Sequence, residues 1–128
     1  MLFRSEELET TAQEIRTATG TEVLAAPGDL SRLADIQNLV RRTVDHFGRL
    51  DIVVCNSGGP PEGRAADTNE ETWDRAIQLA LQFFIRMGRE TVPHLKNQQW
   101  GRIVNILAST VHQPIDNLVT SGDRKSVV

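Results

Sequence analysis

Asn56, Ser57 and Gly58, followed by Gly59 and Pro60, stand directly after the apolar run Ile52-Val53-Val54-Cys55. These residue types hold a ligand rather than break a bond. The asparagine amide both donates and accepts, and paired glycines let a flat molecule lie close against the backbone. A short β-branched run bounded by Gly and Pro reads as a strand buried on both faces of a parallel sheet. In open α/β sheets the ligand crevice lies beyond the strands' carboxyl ends, where these residues fall. The plainer reading of the same residues is a structural turn.

Other chemistry is sparse. His46, His94 and His112 are far apart, the chain has one cysteine, and its carboxylates are scattered. No group has metal-ligand spacing, so no metal is expected. Trp73 and Trp100 read as packing residues. Arg86 and Arg89 beside Glu90 read as a solvated helix face.

The elements that must position the loop follow from periodicity. Leu8, Ala12, Ile15 and Ala18 share one helical face, with Gly20 as the stop. Thr21 to Ala26 is a β-prone run ending at Pro27-Gly28-Asp29-Leu30. Ser31 is the expected N-cap of a helix carrying Leu33, Ile36, Val40, Val44 and Phe47, ended by Gly48. After the strand at 50–55, Thr68 with Glu71 forms a capping box for a long helix. Trp73, Ile77, Leu81, Phe84 and Met87 mark its buried stripe, and Pro93 its end or kink. Ile103 to Leu107 is the last strand. The order αβαβαβ implies an α/β fold, a doubly wound parallel sheet with helices on both faces.

Composition sets bounds. The 128 residues with 39% apolar content suit one domain or part of one. A net charge of −3 gives no electrostatic case for nucleic acid. No apolar run approaches the roughly 20 residues of a membrane span. A single cysteine excludes an internal disulfide and fits a reducing cytoplasm, the expected location. Met1-Leu2-Phe3-Arg4 is too short, and too soon followed by acidic residues, for a signal peptide.

Cys55-Asn56-Ser57-Gly58 resembles the Asn-Asn-Ala-Gly motif of the short-chain dehydrogenase/reductase family. Gly48-Arg49-Leu50-Asp51 and Gly101-Arg102-Ile103-Val104-Asn105-Ile106 resemble that family's approaches to its fourth and fifth strands. The likeness runs from about Glu6 to Ser121 and is nearest the 3-oxoacyl-[acyl-carrier-protein] reductase-like branch. It implies a Rossmann-type domain binding NAD or NADP, in an oxidoreductase acting on a carbonyl/alcohol pair, such as a 3-oxoacyl substrate. It also implies a homo-oligomeric parent. By the same resemblance Asn56, Ser57 and Gly58 line the cofactor's adenine and ribose side. Asp29 matches the family's Asp that accepts a hydrogen bond from the adenine amino group.

The family's catalytic set fits less well. Its Asn place falls on Ala80, its Ser place on Ala108 and its Tyr place on Ser121, and the chain has no tyrosine. Ser109, one residue late, and Ser121 are the candidate catalytic hydroxyls; Thr110 and Asn105 stand nearby. A serine hydroxyl titrates too high to replace a phenol without a strong base beside it. The rival reading is therefore a non-catalytic nucleotide-binding or scaffolding member. A receiver-type or flavodoxin-like domain would need an acidic cluster or phosphate loop, and neither is present.

No G-x-x-x-G-x-G turn occurs in the chain, so the sheet is expected to be incomplete at both ends, with an open edge where the first strand belongs. The chain alone is expected to lack dehydrogenase activity. Met1 to Ser5 is what GTG CTC TTC CGA TCT encodes when GTG is taken as a start, and Asp123 to Val128 what GAT CGG AAG AGC GTC GTG encodes. Both are arms of a sequencing adapter. Residues 1–5 and 123–128 are therefore expected to be adapter translation, and about 6–121 the native part of a partial domain spanning 1–128.

Overall fold

The computed structural model describes residues 5–58 and 68–107. Their elements are α1 (Ser5–Thr19), α2 (Leu33–Phe47), β1 (Ile52–Cys55), α3 (Glu70–Ile77), a π-helical turn (Gln78–Gln82), α4 (Phe83–Asn97) and β2 (Arg102–Asn105). The two strands pair in parallel, Val53 opposite Ile103 and Cys55 opposite Asn105. Parallel neighbours require a crossover, and the helical stretch from Glu70 to Asn97 supplies it. This is the expected α/β alternation.

Both glycine stops hold. Gly20 and Gly48 lie at φ 68° and 73°. Their amides close onto Arg16 O and Val44 O at 2.9 and 2.8 Å. Glycine takes this left-handed conformation without the Cβ penalty other residues meet.

Several expectations need correction. Thr21 to Ala26 forms no strand. Two arginines take its carbonyls instead: Arg16 bonds Val23 O through Nε and Nη2 at 3.1 and 2.6 Å, and Arg42 bonds Ala25 O at 3.4 Å. Ser31 is not the cap of α2. Arg32 holds the N-cap position without a side-chain bond, because the Ser31 hydroxyl donates to Asp29. The long helix is capped one residue later than expected, by Asn69, whose Oδ1 accepts from Thr72 N at 2.9 Å. Nor does Pro93 end α4. The helix runs on to Asn97, held beyond the proline by buried Leu95 and by Gln98, whose amide donates to Leu50 O.

The core joins Ile36 of α2, Val53 and Cys55 of β1, and Phe83, Met87 and Leu95 of α4. α4 touches α2 and both strands, so it is the member that ties the layers together. Among the described residues, the strand β1 is covered on one face only, not on both. Val53 and Cys55 are buried while Ile52 and Val54 are 56% and 58% exposed. Among the described residues, α2 and α4 cover that one face.

The buried stripe of the long helix also differs from the expected one. Ala76, Leu79, Phe83, Met87, Thr91 and Leu95 face the core, whereas Ile77 and Leu81 lie outward with Ile85. Of the expected stripe, Met87 is in the core and Phe84 packs against it, while Ile77 and Leu81 belong to an outer apolar row.

Candidate functional site

β1 ends at Cys55, and Asn56, Ser57 and Gly58 continue from its carboxyl end, the edge at which the sequence places them. The strand stops there because pairing stops: the last ladder bond runs from Ile106 N to Cys55 O at 2.9 Å. Asn56 is exposed and makes no side-chain hydrogen bond among the described residues. Ser57 is half-buried, and its hydroxyl donates to Leu79 O in the π turn at 3.0 Å. Cys55 beneath them is 1% exposed, and burial pushes its thiol pKa up, away from the reactive thiolate.

Asp29 is built by its own loop. Its Oδ1 accepts from Ser31 N at 3.0 Å and from Ser31 Oγ at 2.8 Å. Those two donors hold the carboxyl below the usual aspartate range, since hydrogen bonds to the charged form favour it. Asp29 N donates to Asp35 Oδ2 at 2.9 Å, which fixes the loop against the first turn of α2. The carboxylate is thus ionised at neutral pH and held in one orientation.

Arg86 connects the two loops' supports, and sequence reasoning assigned it wrongly to a solvated face. It is half-buried, donating to Ser31 O at 2.6 Å and to Gln82 Oε1 at 2.6 Å. Arg89 is exposed as expected. Glu90 is half-buried and accepts from Gln37 at 3.2 Å. Only the Gln82–Arg86 spacing of four residues hints at the arrangement in the sequence.

Ala80, at the place of the family's asparagine, lies within the π turn and brings no polar side chain. Ser109 and Ser121 lie outside the described residues, as do Ala108, Thr110, His112, Gly59 and Pro60. Asn105, on β2, pairs with Cys55 in the ladder. Among the described residues no cluster of His, Cys, Asp and Glu could hold a metal ion.

The short chain dehydrogenase family model matches residues 1–120. The chain belongs to the short-chain dehydrogenase family. A D-β-hydroxybutyrate dehydrogenase of Rhizobium meliloti is 31% identical over 104 residues, covering 81% of this chain and 40% of its own. Among solved structures, the actinorhodin polyketide ketoreductase with NADPH superposes with a TM-score of 0.88 at 27% identity, over 96% of this chain and 48% of that one. An NAD⁺-bound xylitol dehydrogenase gives 0.86 at 18% identity, over 96% and 47%, which bears on the fold alone. The chain spans half or less of the length of the relatives it matches.

The residues present fit the adenosine side of a nicotinamide dinucleotide. Asp29 is an ionised acceptor fixed by Ser31, the kind of group an adenine amino donor would meet.

Proposed function

We propose that this chain is the cofactor-holding part of an NAD(P)-dependent oxidoreductase that interconverts a carbonyl and an alcohol. The observation that carries the proposal is the family match over residues 1–120, with the Asp29 loop and the Asn56–Gly58 loop both in its register. The dinucleotide, when bound, supplies or accepts the hydride. Asp29 accepts from the adenine amino group, and Asn56, Ser57 and Gly58 bound the ribose side. Ser109 and Ser121 are proposed to present hydroxyls to the substrate oxygen.

The finer reading is a 3-oxoacyl or similar acyl-chain substrate, supported by the likeness to a hydroxybutyrate dehydrogenase and a polyketide ketoreductase. A homo-oligomer, the outward apolar row on the long helix being its contact, and a cytoplasmic location complete it. No helix among the described residues is long and apolar enough to cross a membrane.

The second reading, a nucleotide-binding member without catalysis, is favoured by Ala80 in place of a polar side chain on the π turn. One experiment separates the two. The whole protein that contains this chain is titrated with NADH and NADPH, then assayed with 3-oxoacyl thioesters and simple ketones. Binding with turnover supports the enzyme, binding without turnover on any carbonyl supports the rival, and no binding overturns both. The 128-residue chain alone is proposed to turn over nothing.

A further inference from the structure

The π turn does something that neither a plain helix nor a cofactor loop requires. Phe83 N donates to Gln78 O, five residues back. In an α-helical register the same N–H would serve Leu79 O, four residues back. The extra residue of the π turn therefore takes that donor away from the Leu79 carbonyl. The Ser57 hydroxyl, arriving from the end of β1, donates to this same oxygen at 3.0 Å. Leu79 is 4% exposed, so water is a poor substitute for the serine there.

One turn further along the chain, Arg86 holds Gln82 Oε1 with one guanidinium nitrogen and Ser31 O with the other, both at 2.6 Å. Ser31 is in turn the residue that fixes the Asp29 carboxylate. Two loops separated by more than twenty residues thus hang from one short stretch of helix. Ser57 fastens the strand-end loop to the turn's second residue, and Arg86 fastens the Asp29 loop to its last. π turns of a single extra residue often sit at functional sites, where they re-aim backbone groups.

We propose that the π turn Gln78–Gln82 is a clamp that holds the Asp29–Ser31 and Asn56–Gly58 loops in register for the dinucleotide, with Ser57 and Arg86 as its positioning residues. The proposal rests on the cofactor reading above for its ligand, but not for the clamp itself. The Ser57 hydroxyl acts through Leu79 and Arg86 through Ser31, so what Ser57 offers the ribose side is its backbone, not its hydroxyl. Losing one such bond should weaken dinucleotide binding by roughly two- to tenfold, the fold-change of one net hydrogen bond.

The test uses the whole protein containing this chain, with Ser57→Ala, Ser57→Thr, Arg86→Met and the Ser57→Ala/Arg86→Met double variant. NADH and NADPH dissociation constants are read by nicotinamide fluorescence, and backbone hydrogen exchange is followed without ligand. Ser57→Ala should weaken binding and speed exchange across 56–58 and 78–83, while Ser57→Thr, which keeps the hydroxyl, should restore both. Arg86→Met should speed exchange across 29–31. The double variant should lose less than the product of the single losses, because both arms act through one clamp. Wild-type binding and exchange in Ser57→Ala, or a Ser57→Thr variant as impaired as Ser57→Ala, would overturn the clamp. Exchange that responds as expected in a protein that binds neither dinucleotide would uphold the clamp and sink the cofactor reading.

Discussion

A Cβ placed on Gly101 would stand 2.7 Å from Leu95 Cδ2 and 2.8 Å from Leu95 Cβ. The backbone entering β2 therefore rests directly on a core side chain of α4. No side chain fits between them, since real Cβ contacts essentially never come this close. Gly101→Ala must push β2 off α4 or drive Leu95 out of its place. The expected cost is about 1–3 kcal/mol, as for overpacking elsewhere. Denaturant unfolding of Gly101→Ala beside wild type, both in the whole protein that contains this chain, checks it, and equal midpoints would show that the contact is slack.

Asp29 gives a pH dependence with a definite sign. Ser31 lowers the folded-state pKa of its carboxyl, through the backbone bond first and the hydroxyl second. A lowered folded pKa means stability that is fully present above the unfolded value, about 3.9, and lost as pH falls through the folded one. Asp29→Asn keeps the acceptor and removes the charge. It should cost up to about 1 kcal/mol at pH 7, the usual strength of a charged hydrogen bond discounted for solvent. That difference should vanish in acid. Thermal unfolding of both versions of the whole protein that contains this chain, at neutral pH and near pH 2, measures it, and a difference that persists in acid would assign the effect to something other than the charge.

Much of this was legible in the sequence, and the failures have physical causes. Gly20 and Gly48 end helices as read, because only the left-handed region closes those turns and glycine enters it freely. The parallel pairing of the two apolar runs was also readable, since a helical crossover leaves them no other sense. The π turn was not. It contains Gln78-Leu79-Ala80-Leu81-Gln82, with no Gly or Pro to mark it, and its partner Ser57 is far away in sequence. Thr21 to Ala26 has strand-like residues, but Arg16 and Arg42 take two of its carbonyls, a contact that depends on how two helices happen to lie. Ser31 has the residue type and place of a cap, but its hydroxyl is spent on Asp29. The choice was between two nearby acceptors or donors, and the spacing alone does not make it.

Cys55 offers a check on the core. It is 1% exposed between β1 and α4, and burial raises its pKa, so the thiolate is scarce and shielded together. A small aromatic disulfide reagent should label Cys55 slowly in the folded whole protein that contains this chain, and at the rate of a free thiol once denaturant unfolds it. Fast labelling under native conditions would mean that the core around Ile36, Val53 and Phe83 is open.

Ile77, Leu81 and Ile85 recur every four residues along the long helix and are 38%, 37% and 51% exposed. If this row is the contact in the proposed homo-oligomer, a charge at its centre should disfavour association. Leu81→Asp is expected to convert an oligomer of the whole protein to monomers by light scattering while leaving its helical circular dichroism in place. An oligomer unchanged by Leu81→Asp would move the contact to another surface.

The uncovered face of the sheet governs how the 128-residue chain behaves by itself. Ile52, Val54 and Val104 are 56%, 58% and 48% exposed, with Val54 and Val104 paired side by side, and Ile106 follows just beyond β2 at 49%. A contiguous apolar patch of this kind, next to strand edges, favours association with other copies. The expressed chain is therefore expected to be insoluble or only partly structured. Val54 is the point at which to intervene, because it is 58% exposed and pairs with Val104 at the middle of the patch. Val54→Lys removes apolar surface and adds a charge that edge strands commonly use against aggregation. It should raise the soluble fraction without disturbing Val53 and Cys55 on the opposite face. Sedimentation of the two chains at equal concentration decides the matter: a wild-type chain that stays monomeric and unfolds in one sharp thermal transition would show that the exposed face carries no such penalty.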